Sequence, residues 1–212
     1  RIMTGPNRGA PLQAYPATLT TWAAWKGLHP QSGGLWFEPG WQEAYINWLL
    51  DRAEAADAES PDPIYALDRP PDPRMPAKDR VLGVYRRGHA VAFDRAALAG
   101  APVFMETIGG EPVVVIYDAR RDMAAAFSRR VGEQVLTFEE SGDPARPARA
   151  RETGASYDVA GRPDGETPSL QPAGLTVDGV YWFAWAHRYP ATELRQATVT
   201  ISGPRAQSWL RR

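Results

Sequence analysis

The chain has no cysteine among its 212 residues. This absence excludes disulfide bonds, thiolate metal sites and cysteine nucleophiles. Only three histidines are present, and none stands beside the convergent partners that a metal ligand or a general base requires. They are His29, His89 and His187. We therefore predict no catalytic residue and no cofactor, and we favour a protein that is not an enzyme.

Strong charge and long apolar runs are also missing. The formal net charge is −1 and the isoelectric point is about 6.4, so the whole chain carries no basic footprint of the kind that nucleic-acid binding requires. No apolar run approaches the roughly 20 residues of a membrane-spanning helix. At 43% hydrophobic residues, the composition is too apolar for a disordered chain. These features indicate a folded protein that binds no nucleic acid and has no transmembrane segment.

What the chain does have is tryptophan, eight residues in all. Four of them form an echo, in which the pattern Trp-x-x-Trp followed by an aromatic or histidine residue and proline occurs at 22–30 and again at 182–190. Missing such a repeat misassigns the whole architecture. We expect each copy to be a short helix, the first capped by Thr21, whose two Trp rings pack into a core. The chain is thus expected to open with the tail of one module and to continue with a second.

Residues 1–79 are expected to form an N-terminal arm. Apolar residues recur at helical spacing over 41–58, which predicts one longer amphipathic helix. Residues 57–76 hold many prolines and predict an extended strap. Aromatic residues crowd this arm, and tryptophan and tyrosine are enriched at interface hot spots. The candidate partner-binding residues are Trp36, Trp41, Tyr45 and Trp48.

Residues 80–212 are expected to form a mainly-β module. Alternating segments flank three hairpin signals, at 87–88, 109–111 and 132–133. A closing strand is expected at 197–201. The fold class predicted from the sequence is α+β and mainly β, an antiparallel module built from hairpins with short Trp-bearing helices and one longer amphipathic helix.

Several blocks, in their order and spacing, resemble the bacterial family called domain of unknown function 3179. The blocks are Arg80-Val81-Leu82-Gly83-Val84, Thr107-Ile108-Gly109-Gly110-Glu111-Pro112, Ala125-Ala126-Phe127, Leu136-Thr137-Phe138, Arg151-Glu152-Thr153-Gly154 and Trp182-Phe183-Ala184-Trp185. The likeness covers about residues 80–194, and residues 5–30 resemble the end of a preceding copy. The resemblance implies a periplasmic or secreted protein, often with tandem modules, and no known reaction.

The resemblance also implies a site that this chain has lost. The family carries a His-Glu pair before the Gly-Gly turn and a Cys-Pro-x-Cys segment after the next strand, a set suited to a soft metal or to redox chemistry. Here the pair has lost its histidine and both cysteines are replaced. We predict no metal site; the weak candidates for a degenerate one are Asp118, Asp122 and Glu106.

Three functions follow from these observations. The first is a non-catalytic accessory module or subunit that binds a protein partner or an upstream module of the same family, with residues 1–30 covering that other chain. The second is a metal-handling or redox-related module with a degenerate site near Asp118 and Asp122. The third is a saccharide-binding module that uses exposed tryptophan.

Overall fold

The structure is a computed structural model, and most of the chain is described in it. The described residues are 5–10, 14–34, 46–47, 60–61, 63 and 67–196. Within them strands predominate and the helices are short, so the expected class, α+β and mainly β, is confirmed. The amphipathic helix expected over 41–58 lies outside the described residues except for Ile46 and Asn47, which are helical.

The elements are numbered in chain order. The strands are β1 (Ala17–Thr18), β2 (Arg80–Arg86), β3 (His89–Asp94), β4 (Val103–Ile108), β5 (Glu111–Asp118), β6 (Met123–Ser128), β7 (Arg130–Val131), β8 (Gln134–Val135), β9 (Phe138–Glu140), β10 (Ala148–Ala150), β11 (Ser156–Tyr157), β12 (Leu175–Tyr181) and β13 (Glu193–Arg195). The helices whose bounds are described are α1 (Trp22–Leu28), α2 (Arg95–Gly100) and α3 (Trp182–Arg188).

Two of the three hairpins form where glycine signals predict them. β2 and β3 are joined by Arg87 and Gly88, with φ angles of 47° and 87°. β4 and β5 are joined by Gly109 and Gly110, with φ angles of 56° and 78°. Positive φ at both central residues is the geometry that matches the twist of antiparallel strands. Both hairpins are therefore confirmed.

The third hairpin is smaller than expected. The sequence predicts one strand over 124–131, but β6 ends at Ser128 and pairs with β5. The residues that pair across the Gly132 turn are those of β7 and β8 alone. The strand is divided because its first part completes the β4-β5-β6 sheet while its second part turns away from it.

The largest sheet joins the two ends of the described chain. Its strand order is β1-β12-β2-β3-β13, with β1 parallel to β12 and β13 parallel to β3. The expected closing strand at 197–201 lies outside the described residues. In the described part, β13 takes the edge beside β3.

β5 is the centre of the core. It lies between β4 and β6, and all eight of its residues are buried. Because side chains alternate along a strand, Val113 and Val115 face the cluster that includes β2 and β3. Val114 and Ile116 face a second cluster, built mainly from β6, β9, β10 and β11. Burial on both faces explains why β5 reads as an unbroken apolar run.

The proline-rich strap lies on α3. The indole nitrogen of Trp182 donates to the carbonyl of Asp72 at 3.0 Å, and the Arg74 guanidinium lies 5.1 Å from the Trp182 ring centroid. A cavity of about 340 Å³ lies between residues 69–73 and the outer side of α3. The described part of the strap is therefore a contact within the chain, where the sequence had suggested a surface for a partner.

Candidate functional site

The aromatic residues expected to bind a partner lie outside the described residues. They are Trp36, Trp41, Tyr45 and Trp48. Their role stays a prediction. The described residues contain two other features that bear on function, the loop after β5 and the segment that holds β1 and α1.

Asp118 ends β5 and organises the loop that follows it. Its carboxylate is buried, accepts the Arg120 backbone N–H at 2.9 Å, and forms an ion pair with Arg121. These contacts satisfy the buried charge and hold the turn, as a short-range Asp–backbone motif does. The geometry therefore gives Asp118 a structural role in the loop.

Asp122 belongs to a second charged group centred on Arg95. The guanidinium of Arg95 pairs with Asp122 at 2.8 Å and with Asp178, whose side chain is 1% exposed. Asp178 also accepts the backbone N–H of Ala124 at 2.9 Å, which connects β12 to β6. Burial raises the pKa of Asp178 above its usual value, against the opposing effects of Ala124 and Arg95. Arg95 thus neutralises a carboxylate held between two sheets.

Glu106 does not meet the two aspartates. It pairs with Arg195 at 2.7 Å and stands opposite Val113 in the hairpin. Asp118 lies five positions further along β5, which is roughly 17 Å at the usual rise of a strand. The described residues contain no group of three or more His, Asp or Glu side chains arranged to hold a metal ion. The three candidates therefore do not form one site.

Tyr117 adjoins the Arg95 group and should titrate late. Its hydroxyl donates to Asp122 at 2.8 Å, and burial together with this carboxylate raises its pKa from 10.0 to about 12. A folded-state pKa above the unfolded value stabilises the fold below pH 10, and that contribution is lost as the pH rises toward 12. We expect the ultraviolet titration of wild type minus Tyr117→Phe to show a component centred near 12.

The matched control is Asp122→Asn, which keeps the burial and removes the charged acceptor. Its Tyr117 component should shift to a value between 10 and 12. A difference curve centred near 10 in the wild type would contradict the assigned environment.

The two Trp helices have the same local structure. In α1 the Trp25 ring stacks on His29 at 4.2 Å and its indole nitrogen donates to Ser32 at 3.0 Å. In α3 the Trp185 ring packs on Tyr189 at 4.5 Å and its indole nitrogen donates to Thr192 at 2.9 Å. We name residues 21–32 the N-terminal Trp unit and residues 181–192 the C-terminal Trp unit. Their sequence echo corresponds to a shared three-dimensional arrangement.

The two units differ in what covers them. Trp182 is fully buried and Trp185 is 3% exposed, among Met75, Val81, Ala90 and Ala92. The equivalent Trp22 is 55% exposed. The expectation that these rings pack into a core is confirmed for the C-terminal Trp unit and wrong for Trp22. The reason is tertiary, because the cover of α3 comes from the strap and from β2 and β3.

The N-terminal Trp unit is nonetheless anchored on this module. Leu28 is buried with Met123 and Val159. Arg162 donates to the Leu28 carbonyl at 2.6 Å, and the Thr20 hydroxyl donates to the Arg121 carbonyl at 3.3 Å. The expectation that residues 1–30 cover another chain is therefore wrong for this face, which covers the loop after β5. The opposite face, with Trp22, is left open.

Exposed apolar side chains gather beside that open face. Tyr15 is 68% exposed and Leu19 is 49% exposed, and both precede Trp22 in the segment that contains β1. We name Tyr15, Leu19 and Trp22 the N-terminal apolar surface. The sequence analysis missed the first two. A signal was available, because the Trp unit occurs twice whereas the strand Val81-Leu82-Gly83-Val84 that covers it occurs once.

The comparisons with known proteins agree with this fold only at the level of the family. The family model described as "Protein of unknown function (DUF3179)" matches residues 1–192. The chain belongs to the DUF3179 family. The match includes the N-terminal Trp unit together with the β-module. No curated protein and no solved structure matches the chain. Among the helices of the described residues, none has the length and apolarity needed to cross a membrane.

Proposed function

We propose that this DUF3179 chain is a non-catalytic module that binds a protein partner through the N-terminal apolar surface. The observation that supports the proposal is the difference between two equivalent rings. Trp182 is fully buried by its own module, whereas Trp22 is 55% exposed in the same local structure. A surface that has the form of a core contact and lacks its cover is suited to a partner.

The energetics favour such a use. A tryptophan ring buries about 150–250 Å² when it is covered, worth several kcal/mol at about 25 cal/mol per Å². Tryptophan and tyrosine are the residues most often found at the centre of binding energy in interfaces. Leu28 and Arg162 already hold α1 in place, so a partner would not have to order the helix. The surface is therefore both apolar and preorganised.

The metal-handling alternative is less well supported by the same structure. Asp118 is occupied by Arg121 and by backbone N–H groups, Asp122 is paired with Arg95, and Glu106 is paired with Arg195. Their charges are used in holding the loop and the sheets together. The periplasmic or secreted location stays a prediction from the family resemblance, and our proposal places the module there.

The experiment is native mass spectrometry of the untagged protein isolated from its own host, in wild-type form and as Trp22→Ala. We expect the wild type to form an assembly heavier than 23.3 kDa. Trp22→Ala should lose that assembly while its circular dichroism and thermal transition stay unchanged, because the removed ring is largely outside the core. The matched control is Val135→Ala, which truncates a side chain 39% exposed on β8 and should keep the assembly.

Two results would count against the proposal. One is a wild-type protein that is monomeric at 23.3 kDa in every preparation from its host. The other is an assembly that survives Trp22→Ala and is lost in Val135→Ala, which would move the binding surface to the other side of the molecule.

A further inference from the structure

We infer that the partner presents to α1 a β-hairpin of the kind that β2 and β3 form, with a glycine facing Trp25. The inference rests on the proposed function, since it names what covers the N-terminal apolar surface. The chain itself contains the template, because one of its two Trp units is covered and the other is open.

The cover of the C-terminal Trp unit has a specific requirement. Trp185 lies directly on β2 at Gly83, where an added Cβ would stand 2.3 Å from the indole ring. Only glycine permits that approach. Val81 and Ala92, on the paired strands, complete the apolar cover of the rings. A matching surface is therefore a hairpin with a glycine between aliphatic residues.

The N-terminal Trp unit presents the same shape. Trp25 is fixed by its stack on His29 and by its bond to Ser32, just as Trp185 is fixed by Tyr189 and Thr192. The position of Trp22 relative to Trp25 follows from a helix of the same length. Equivalent rings on equivalent helices are complementary to equivalent partners.

The strand before each helix supports the same partner. β12 precedes α3 and pairs with β2 in antiparallel register. β1 precedes α1 and lies at the edge of the sheet, where no strand among the described residues pairs with its second side. Exposed edges of this kind accept an added strand from another chain. A β2-type strand added there would stand beside α1 as β2 stands beside α3.

A second copy of this chain cannot supply its own hairpin without rearrangement. β2 is paired on both sides, by β12 and β3, and Trp185 already covers Gly83. The partner is therefore a distinct module whose hairpin lacks a Trp helix of its own. α1 would act as the helix that closes that module.

The test is site-specific photo-cross-linking in the full chain. A benzophenone amino acid replaces Trp22, the protein is produced in its own host, and the cross-linked peptide is sequenced by mass spectrometry. Trp22 is largely exposed, so the substituted protein should fold. The same amino acid at Val135, 39% exposed, is the matched control and should lose the cross-linked band.

The expected result is a cross-link to a strand of another protein that carries a glycine among aliphatic residues and leads into a glycine-containing turn. A cross-link to residues 14–34 of a second copy would overturn the inference, and so would one to a helix. A Trp22-dependent assembly without a hairpin cross-link would overturn the inference alone and leave the proposed function standing. Loss of both the assembly and the cross-link would remove the proposed function as well.

Discussion

Trp182→Ala is expected to lower the free energy of unfolding by about 3–5 kcal/mol. Trp22→Ala, in the equivalent position of α1, is expected to change it by no more than about 0.5 kcal/mol. The chemical change is the same in both variants. The difference arises because Trp182 fills a closed cluster and bonds to the Asp72 carbonyl, whereas the Trp22 ring is 55% exposed.

The measurement is equilibrium unfolding in urea, followed by far-ultraviolet circular dichroism because the substitutions alter tryptophan fluorescence. Trp182→Phe serves as a control that keeps most of the volume and loses the indole donor, and it should fall between the wild type and Trp182→Ala. Equal losses in Trp22→Ala and Trp182→Ala would contradict the open face on which the binding proposal rests.

Arg95→Ala is expected to lower the free energy of unfolding by about 3–5 kcal/mol at neutral pH, the usual cost of leaving a buried charge without its partner. The charge left behind is that of Asp178, whose side chain is 1% exposed. Loss of Arg95 would raise the pKa of Asp178 further above its ordinary value of 3.8. Because protonation then relieves the buried charge, the defect should shrink as the pH falls.

The controls separate the buried carboxylate from the exposed one. Asp122→Asn removes the partner that is 73% exposed and should cost less than about 1 kcal/mol. Arg95→Ala combined with Asp178→Asn should recover part of the loss, because the neutral amide still accepts the Ala124 N–H. Urea unfolding at several pH values measures all four proteins. A defect in Arg95→Ala that does not depend on pH would show that Asp178 is not its source.

Local features of the fold were predictable from the sequence. The turns at Arg87-Gly88 and Gly109-Gly110 require positive φ, a property that glycine confers at the position itself. Thr21 caps α1 by accepting the Ala24 N–H at 3.2 Å, which again involves neighbours only three residues apart. Such signals are readable because cause and effect lie within a few residues.

The candidate site was predictable only in part. The echo located both Trp units, and the departure from the family pattern located the loop after β5. The sequence could not show that Glu106 and Asp118 lie at opposite ends of one hairpin, since their separation depends on strand register. Nor could it show that Arg95 links Asp122 to Asp178, residues separated by 56 positions and brought together by packing of β12 on β6.

The sequence by itself determined the family, the mainly-β class, two hairpins and the equivalence of the two Trp units, because each of these rests on local conformational preference or on pattern. The tertiary structure alone decided which Trp unit is covered. Residues 72–92 reach α3 through strand pairing and strap packing, and no described segment reaches the same face of α1. Burial is a property of what packs against a residue, so two nearly identical sequences acquired a core in one place and an open surface in the other.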